Sequence, residues 1–185
     1  STDGITTTAN GGNALFPGPK RLAVRGSFVY VTRNHGVTRL NMATDSFEPF
    51  SAGSGTAGYT DGAGTQAEFN EPAGIGFNSA GEYFVADYIN KKIRKVDINN
   101  QVTSFPGAYF QVTDVEVAPD GNIYAVETGN KRVRIVTTTT QGAADEIIME
   151  GFVSPEGIAI HPVTGDIYIS DAGNHAIYKL TKVEE

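Results

Sequence analysis

The stretch "AEFNEPAGIGFNSAGEYFVADYINKKIRKVD", residues 67–97, contains three short apolar segments separated by turns. The segments are "PAGIGF" at 72–77, "YFVAD" at 83–87 and "KIRKV" at 92–96. Segments of this length that are rich in Val, Ile, Phe and Tyr and bounded by Gly, Asn and Ser are typical of β-strands. The stretch therefore predicts three antiparallel strands joined by tight turns.

This three-strand unit occurs four times in the 185 residues. Its first strand carries a matching apolar residue in each copy, at spacings of 53, 40 and 43 residues: Leu22, Ile75, Val115 and Ile158. An aromatic residue precedes the first strand each time, namely Phe16, Phe69, Tyr109 and Phe152. Because several features recur in register, we interpret the chain as four structural repeats, and we expect each aromatic ring to lie between neighbouring repeats.

A weaker fourth strand follows the third in three copies: "SFEPFSAG" at 46–53, "QVTSFPG" at 101–107 and "DEIIMEG" at 145–151. The last copy ends without one, whereas the N-terminus carries an unassigned segment, "GITTTANGG" at 4–12. We predict that residues 4–10 pair with "AIYKL" at 176–180. Repeats of four antiparallel strands in about 40–45 residues are propeller blades. The predicted fold is all-β, a propeller of four blades whose N-terminal strand closes the last blade.

We expect one domain over residues 1–185. Its repeats are predicted at 13–53, 54–107, 108–151 and 152–185, the last together with 1–12. With the N-terminal strand included, all four blades have four strands, and this favours a monomer whose ring of blades closes within one chain. The alternatives are half of an eight-bladed dimer and a part of a longer protein.

The second repeat, with "PAGIGF" and "VADYINKKIRKVD" (85–97), resembles the NHL repeat of NHL-type β-propellers. The fourth repeat, "PEGIAIHPVTGDIYISDAGNHAIYKL" at 155–180, resembles it as well. The third repeat lacks the Pro-x-Gly, and the first departs further, because Arg33 stands where the other repeats have an acid. The resemblance implies a β-propeller, in a family that usually has six blades and sometimes five. It identifies a fold better than a function.

The composition narrows the classes of partner. The formal net charge is −7, which argues against nucleic acid as the main partner, because polyanion binding needs a basic excess. No stretch of 18 apolar residues is present, so no membrane insertion is expected. With no cysteine there is no thiolate chemistry, and the redox compartment cannot be read from disulfides. An extracellular or cell-surface location is the one we favour.

The topology of a propeller predicts where a ligand binds. The loop entering the first strand and the loop leaving the second lie on the same rim, because these two strands are antiparallel. The insertion 53–67, rich in Gly and Thr, belongs to this rim, and loops on a rigid scaffold tend to carry binding residues. The candidate binding residues on the rim are Arg33, His35, Tyr59, Asp61, Tyr88, Lys91, Lys131 and His175.

An acid ends the second strand in three repeats, at Asp87, Glu127 and Asp171, and an Asn follows three residues later. One interpretation is a metal or acid cluster near the central channel. The other is that each acid caps a loop by accepting backbone N–H bonds. We favour the cap, because a residue repeated in every blade normally serves the blade itself.

A metal-dependent enzyme has less support in the sequence. The resemblance extends to amidating lyases that hold zinc with histidines, but His161 is predicted on the opposite rim from His35 and His175. Lactonase-like propellers place acids on their innermost strands, where Glu116 is the one acid we identify. No catalytic triad spacing or nucleophile elbow is present. We therefore predict no catalytic residue, no metal and no cofactor.

Basic residues form stripes along the third strands of the second and third repeats: Lys91, Lys92, Arg94 and Lys95, then Lys131, Arg132 and Arg134. Strand alternation predicts that Lys92 and Arg94 face outward while Ile93 packs inward. Some NHL domains bind single-stranded RNA through a basic rim, but the net charge favours ordinary solvated surfaces here. The predicted function is a non-enzymatic binding scaffold that recognises a protein, peptide or glycan on its loop rim. The alternative is a metal-dependent lyase or lactonase-like hydrolase with its site at the channel mouth.

Overall fold

A computed structural model of the chain describes residues 18–136 and 145–181. Within these ranges, sixteen strands form four antiparallel sheets, which are arranged as the blades of a β-propeller. The predicted all-β fold with four blades is confirmed. The predicted strand at 4–12 and the aromatic residue Phe16 lie outside the described residues.

The strands of the first two blades follow the chain from the innermost strand outward, except that blade 2 has an additional short strand that comes first in the chain and lies at its outer edge. Blade 1 contains β1 (Pro19–Arg25), β2 (Phe28–Arg33), β3 (Gly36–Asn41) and β4 (Ser46–Ala52). Blade 2 contains β5 (Gly62–Ala63), β6 (Pro72–Phe77), β7 (Tyr83–Asp87), β8 (Lys92–Val96) and β9 (Gln101–Ser104). The short strand β5 was not predicted; it pairs with β9 and so fixes the insertion to the outer edge of blade 2.

The last two blades have the same order. Blade 3 contains β10 (Val112–Val117), β11 (Ile123–Glu127), β12 (Arg132–Val136) and β13 (Asp145–Glu150). Blade 4 contains β14 (Pro155–Ile160), β15 (Ile167–Asp171) and β16 (Ala176–Leu180). Among the described residues, no helix is long and apolar enough to span a membrane.

Three apolar clusters lie between successive blades, and each contains the aromatic residue that precedes an inner strand. Phe69 packs with Val37 of blade 1, Tyr109 with Ile93 of blade 2, and Phe152 with Val133 of blade 3. These three aromatic side chains are at most 3% exposed. The prediction that the aromatic residues lie between blades is confirmed for these three.

The two terminal blades keep an exposed face. Leu22 in β1 is 66% exposed, although Ile75 and Val115, at the same position of the next two blades, are at most 4% exposed. In blade 4, Ile177 is 75% exposed, although Ile93 at the same position is fully buried. The outer faces of the first and last blades are therefore apolar at positions that elsewhere contact another blade.

Candidate functional site

Asp87, at the end of β7, holds together the loops at one end of blade 2. Its Oδ1 accepts a hydrogen bond from the backbone N–H of Asn70, at 2.8 Å. Its Oδ2 accepts hydrogen bonds from the Asn90 amide at 2.8 Å and from Nη1 of Arg94 at 2.9 Å. Burial raises the pKa of Asp87, and these donors act in the opposite direction. The carboxylate thus joins the loop before β6 to the loop after β7.

Glu127 has the same role in blade 3. It is fully buried, and its Oε1 accepts hydrogen bonds from the backbone N–H of Phe110 at 2.8 Å and from the Asn130 amide at 3.2 Å. Its Oε2 pairs with the guanidinium of Arg132. Both carboxylate oxygens therefore have protein partners within the blade.

Asp171 repeats the arrangement in blade 4 without an arginine. Its two oxygens accept backbone N–H bonds from Ser154 at 2.7 Å and from Val153 at 2.9 Å, and Asn174 donates to Oδ2 at 2.8 Å. In all three blades the acid caps the loop that enters the inner strand. These hydrogen bonds confirm the capping interpretation of the repeated acids.

Arg94 occupies a position that the sequence pattern assigned to the surface, and that prediction is wrong. Its side chain is fully buried, with Nη1 bound to Asp87 and Nη2 to Asp61 at 2.7 Å. The guanidinium also donates to the carbonyls of Glu68 and Thr60 and lies over the ring of Phe69. Two carboxylates and two carbonyls replace the water that an outward position would have supplied.

The insertion is fastened to blade 2 through the same network. Besides Arg94, Asp61 accepts hydrogen bonds from the backbone N–H and the hydroxyl of Ser104, both at 3.0 Å. Asn90 donates to the carbonyl of Gly58 at 2.6 Å. Tyr59 lies between these anchors and is 78% exposed. The structure thus gives Asp61 a structural role and leaves the Tyr59 ring accessible.

The rim presents a basic or imidazole side chain at one repeated position. Lys91, Lys131 and His175 each have a left-handed backbone with φ of 56°, 54° and 52°, and each has an exposed side chain. His35 occupies the corresponding position in blade 1, and its Nδ1 is buried without a hydrogen-bond partner among the described residues. A left-handed conformation is uncommon for residues with a Cβ, and here it follows the Asn of the capping turn.

The remaining rim candidates are engaged with neighbours. Lys20 pairs with Glu71 at 2.6 Å, and its Nζ lies 6.0 Å from the centre of the Tyr88 ring. The Arg33 guanidinium donates to the hydroxyl of Thr38 at 2.9 Å. Sequence reasoning did not identify Phe110, which is 42% exposed and whose ring centre lies 5.0 Å from Nζ of Lys91.

The inner strands hold two acids besides Glu116, namely Asp114 in β10 and Glu156 in β14. Strand β10 begins at Val112, so Asp114 belongs to it together with Glu116. Burial, followed by the charge of Asp114, raises the pKa of Glu116 to about 7. Within residues 18–136 and 145–181, no group of three or more His, Cys, Asp and Glu side chains could hold a metal ion.

Comparison with known proteins agrees with this architecture. The NHL repeat family matches residues 152–179. Virginiamycin B lyase from Staphylococcus aureus has a similar structure, with a TM-score of 0.64 at 16% identity, over 91% of this chain and 54% of that one. A chain of the nidogen/laminin complex gives a TM-score of 0.69 at 19% identity, over 88% of this chain and 60% of that one. At these identities the likeness shows the fold alone.

A relative with higher identity covers a smaller region. The chloroplastic protein SUPPRESSOR OF QUENCHING 1 from Arabidopsis thaliana is 38% identical over 73 residues. The match spans 38% of this chain and 7% of that protein. The chain thus corresponds to a small part of this relative and to little more than half of the two similar structures.

Proposed function

Because the chain is an NHL-type β-propeller, we propose that it is a binding module that recognises a segment of a partner protein on its loop rim. The proposal rests on one observation: exposed side chains project from loops that buried carboxylates hold in place. Tyr59, Lys91 and Phe110 are exposed, while the loops that carry them or adjoin them are held by Asp87 and Glu127 from beneath.

A rim fixed in this way is suited to binding. Side chains on pre-ordered loops lose less conformational freedom when a ligand binds, so more of the contact energy appears as affinity. Aromatic residues are enriched in protein interfaces, and aromatic anchors carry much of the binding energy. The exposed rings of Tyr59 and Phe110 supply such anchors, and Lys91 and Lys131 supply positive charge beside them.

The comparisons support the proposal at the level of the fold. A similar propeller-type chain occurs in the nidogen/laminin complex, which is an assembly of proteins. That likeness does not transfer a partner to this chain. The partner is therefore described by its chemistry: a segment with apolar or aromatic residues flanked by acids, which would complement the lysines of the rim.

The proposal can be tested by selection from a random peptide library displayed on phage, with the full chain as bait. Selected peptides are synthesised and titrated against the wild type and a rim variant, Tyr59→Ser with Lys91→Glu. The control variant is Val163→Ser, because Val163 is 85% exposed in the β14–β15 turn, at the opposite end of the blade.

We expect the selected peptides to bind the wild type and the control with equal affinity. Their affinity for the rim variant should be at least about tenfold lower, a difference of about 1.4 kcal/mol in binding free energy. Thermal unfolding of each variant shows whether the fold is retained. Failure to enrich any peptide, or peptides that bind the rim variant as well as the wild type, would contradict the proposal.

A further inference from the structure

One position of the inner strand carries contrasting residues in the four blades. Blades 1 and 3 have the charged residues Arg21 and Asp114, and blades 2 and 4 have Gly74 and Gly157. A Cβ on Gly74 would lie 2.2 Å from Oδ1 of Asp114, and a Cβ on Gly157 would lie 3.4 Å from Nη2 of Arg21. The two glycines therefore leave room for the charged side chains of Arg21 and Asp114.

Gly157 also opens a cleft at the point where blades 1, 3 and 4 meet. The cleft has a volume of about 280 Å³. Its polar lining includes Arg21, Asp114 and Ser170, and its apolar lining includes Ile158, Tyr168 and Ile177. The volume lies just below the range of about 300–1,000 Å³ typical of sites for drug-sized molecules, so a smaller ligand is indicated.

The two charged groups of the cleft keep unused capacity for hydrogen bonds. Oδ1 of Asp114 accepts the backbone N–H of Val115 at 3.0 Å, and Oδ2 accepts the backbone N–H of Ile158 at 3.1 Å. Oδ2 lies 3.8 Å from Nη2 of Arg21, which is longer than a hydrogen bond, so each oxygen can accept one further bond. Arg21 donates to the carbonyl of Glu156 at 3.1 Å, and its side chain is 44% exposed. The other guanidinium N–H groups have no acceptor among the described residues, although a guanidinium offers five donors.

The apolar wall is available for a ligand because no described blade covers it. Ile177 is 75% exposed and Tyr168 is 36% exposed, whereas Ile93 and Val133, which match Ile177 in blades 2 and 3, are fully buried. Covering this wall with an apolar group would remove water from it, at about 25 cal/mol for each Å² of apolar surface.

We propose that this cleft binds a free α-amino acid with an apolar side chain, at a site separate from the rim. The carboxylate of the ligand would accept hydrogen bonds from Arg21, its ammonium would pair with Asp114, and its side chain would lie against Tyr168 and Ile177. An α-amino acid carries both charges on one carbon, which suits an Arg21 and an Asp114 only 3.8 Å apart.

The state of Asp114 is consistent with a cationic ligand group. Burial raises the pKa of the Asp114 carboxyl, and the positive charge of Arg21 acts in the opposite direction. A bound ammonium would lower this pKa further. Binding is therefore expected to release protons where Asp114 is partly protonated, and its enthalpy would then depend on the buffer.

The experiment is isothermal titration calorimetry of the full chain with L-phenylalanine and L-leucine. Phenethylamine lacks the carboxylate and so loses the contact with Arg21, and 3-phenylpropionate lacks the ammonium and so loses the contact with Asp114. We expect both analogues to bind at least about tenfold more weakly than L-phenylalanine. Asp114→Asn and Arg21→Gln are each expected to show a loss of similar size.

Two further variants separate binding from folding. Gly157→Ala adds a methyl group 3.1 Å from the Ser170 hydroxyl and 3.4 Å from Arg21, so it should weaken binding while the melting temperature is nearly unchanged. Arg25→Gln is the matched control, because Arg25 lies in the same strand but donates to the carbonyls of Asn78 and Ser79 in blade 2. It should bind like the wild type.

Three results would overturn the proposal. The first is no heat of binding with either amino acid at up to about 10 mM, a concentration at which a Kd of about 1 mM is measurable. The second is equal binding of the two analogues and the amino acid. The third is that Asp114→Asn and Arg21→Gln alter the melting temperature but not the binding, which would make the pair a structural link between blades.

Discussion

Blades 2 and 4 are built from the same repeat but have different surroundings. Every residue of β7 in blade 2 is buried, because another blade lies on each side. In β15 of blade 4, buried and exposed residues alternate, because the described residues cover one side alone. The sequence pattern of a blade therefore does not decide how much of it is buried; its neighbours do.

The acid at the end of the second strand shows a second difference. Asp87 in blade 2 is paired with the buried Arg94, which also holds the insertion through Asp61. Asp171 in blade 4 is held by backbone N–H groups and Asn174, and Tyr178 occupies the position of the arginine. The cap needs the acid alone, and the arginine in blade 2 adds the attachment of the insertion.

The largest effect is expected from Arg94→Ala. Removing the guanidinium leaves Asp87 buried without its charged partner and releases Asp61, and loss of one member of a buried pair typically costs about 3–5 kcal/mol. Urea denaturation measures the change, and limited proteolysis should show faster cleavage within residues 53–67.

Tyr178→Phe in blade 4 is the matched change and should cost less than about 1 kcal/mol, because it removes one exposed hydrogen bond. If Arg94→Ala and Tyr178→Phe lowered the free energy of unfolding equally, the proposed difference between blades 2 and 4 would be contradicted.

The second prediction compares the apolar residue at the second position of β8 in blade 2 with the one at the same position of β16 in blade 4. Ile93→Ala should lower the free energy of unfolding by about 2–4 kcal/mol, because Ile93 is fully buried between blades 2 and 3. Ile177→Ala should change it by less than about 0.5 kcal/mol, because Ile177 is 75% exposed. A loss above about 2 kcal/mol at Ile177 would show that this face is covered in solution.

The smallest effect concerns pH. The pKa of Glu116 is raised from 4.5 to about 7, so the folded chain retains a proton that the unfolded chain releases between these values. Glu116 therefore reduces stability as the pH rises from 5 to 8, whereas Glu116→Gln lacks this penalty. A shift of this size corresponds to at most about 3 kcal/mol, and solvent screening of the partly exposed carboxyl reduces it, so we expect the stability advantage of the variant over the wild type to grow by about 1–2 kcal/mol between pH 5 and pH 8. Thermal unfolding at both pH values tests this, and a constant difference would contradict it.

The fold could be predicted from the sequence because repetition supplies the information that a single blade lacks. Four copies in register indicated the strands and the aromatic residues between blades, and the periodic acid correctly indicated a cap. The burial of Arg94 could not be predicted, because strand alternation gives the face of a residue but not the acids that reach it from another loop. Asp61, one of those acids, lies 33 residues away from Arg94 along the chain.

The candidate sites were less predictable. Asp114 was missed because acids were considered only within 115–117 of the inner strand, although aligning the repeats places Asp114 at the position of Arg21. Phe110 was not identified because the repeat pattern assigns the aromatic position to Tyr109, directly before it. Exposure of such residues depends on tertiary packing, which no local pattern contains.

Amide hydrogen exchange of the full chain, followed by NMR, tests most directly the claim that buried acids fix the rim loops. The backbone N–H groups of Asn70, Phe110 and Ser154 donate to Asp87, Glu127 and Asp171. We expect these three amides to be protected to a degree comparable with the amides of β7, although they lie in loops. Exchange of all three at the rate of unprotected loop amides would contradict it.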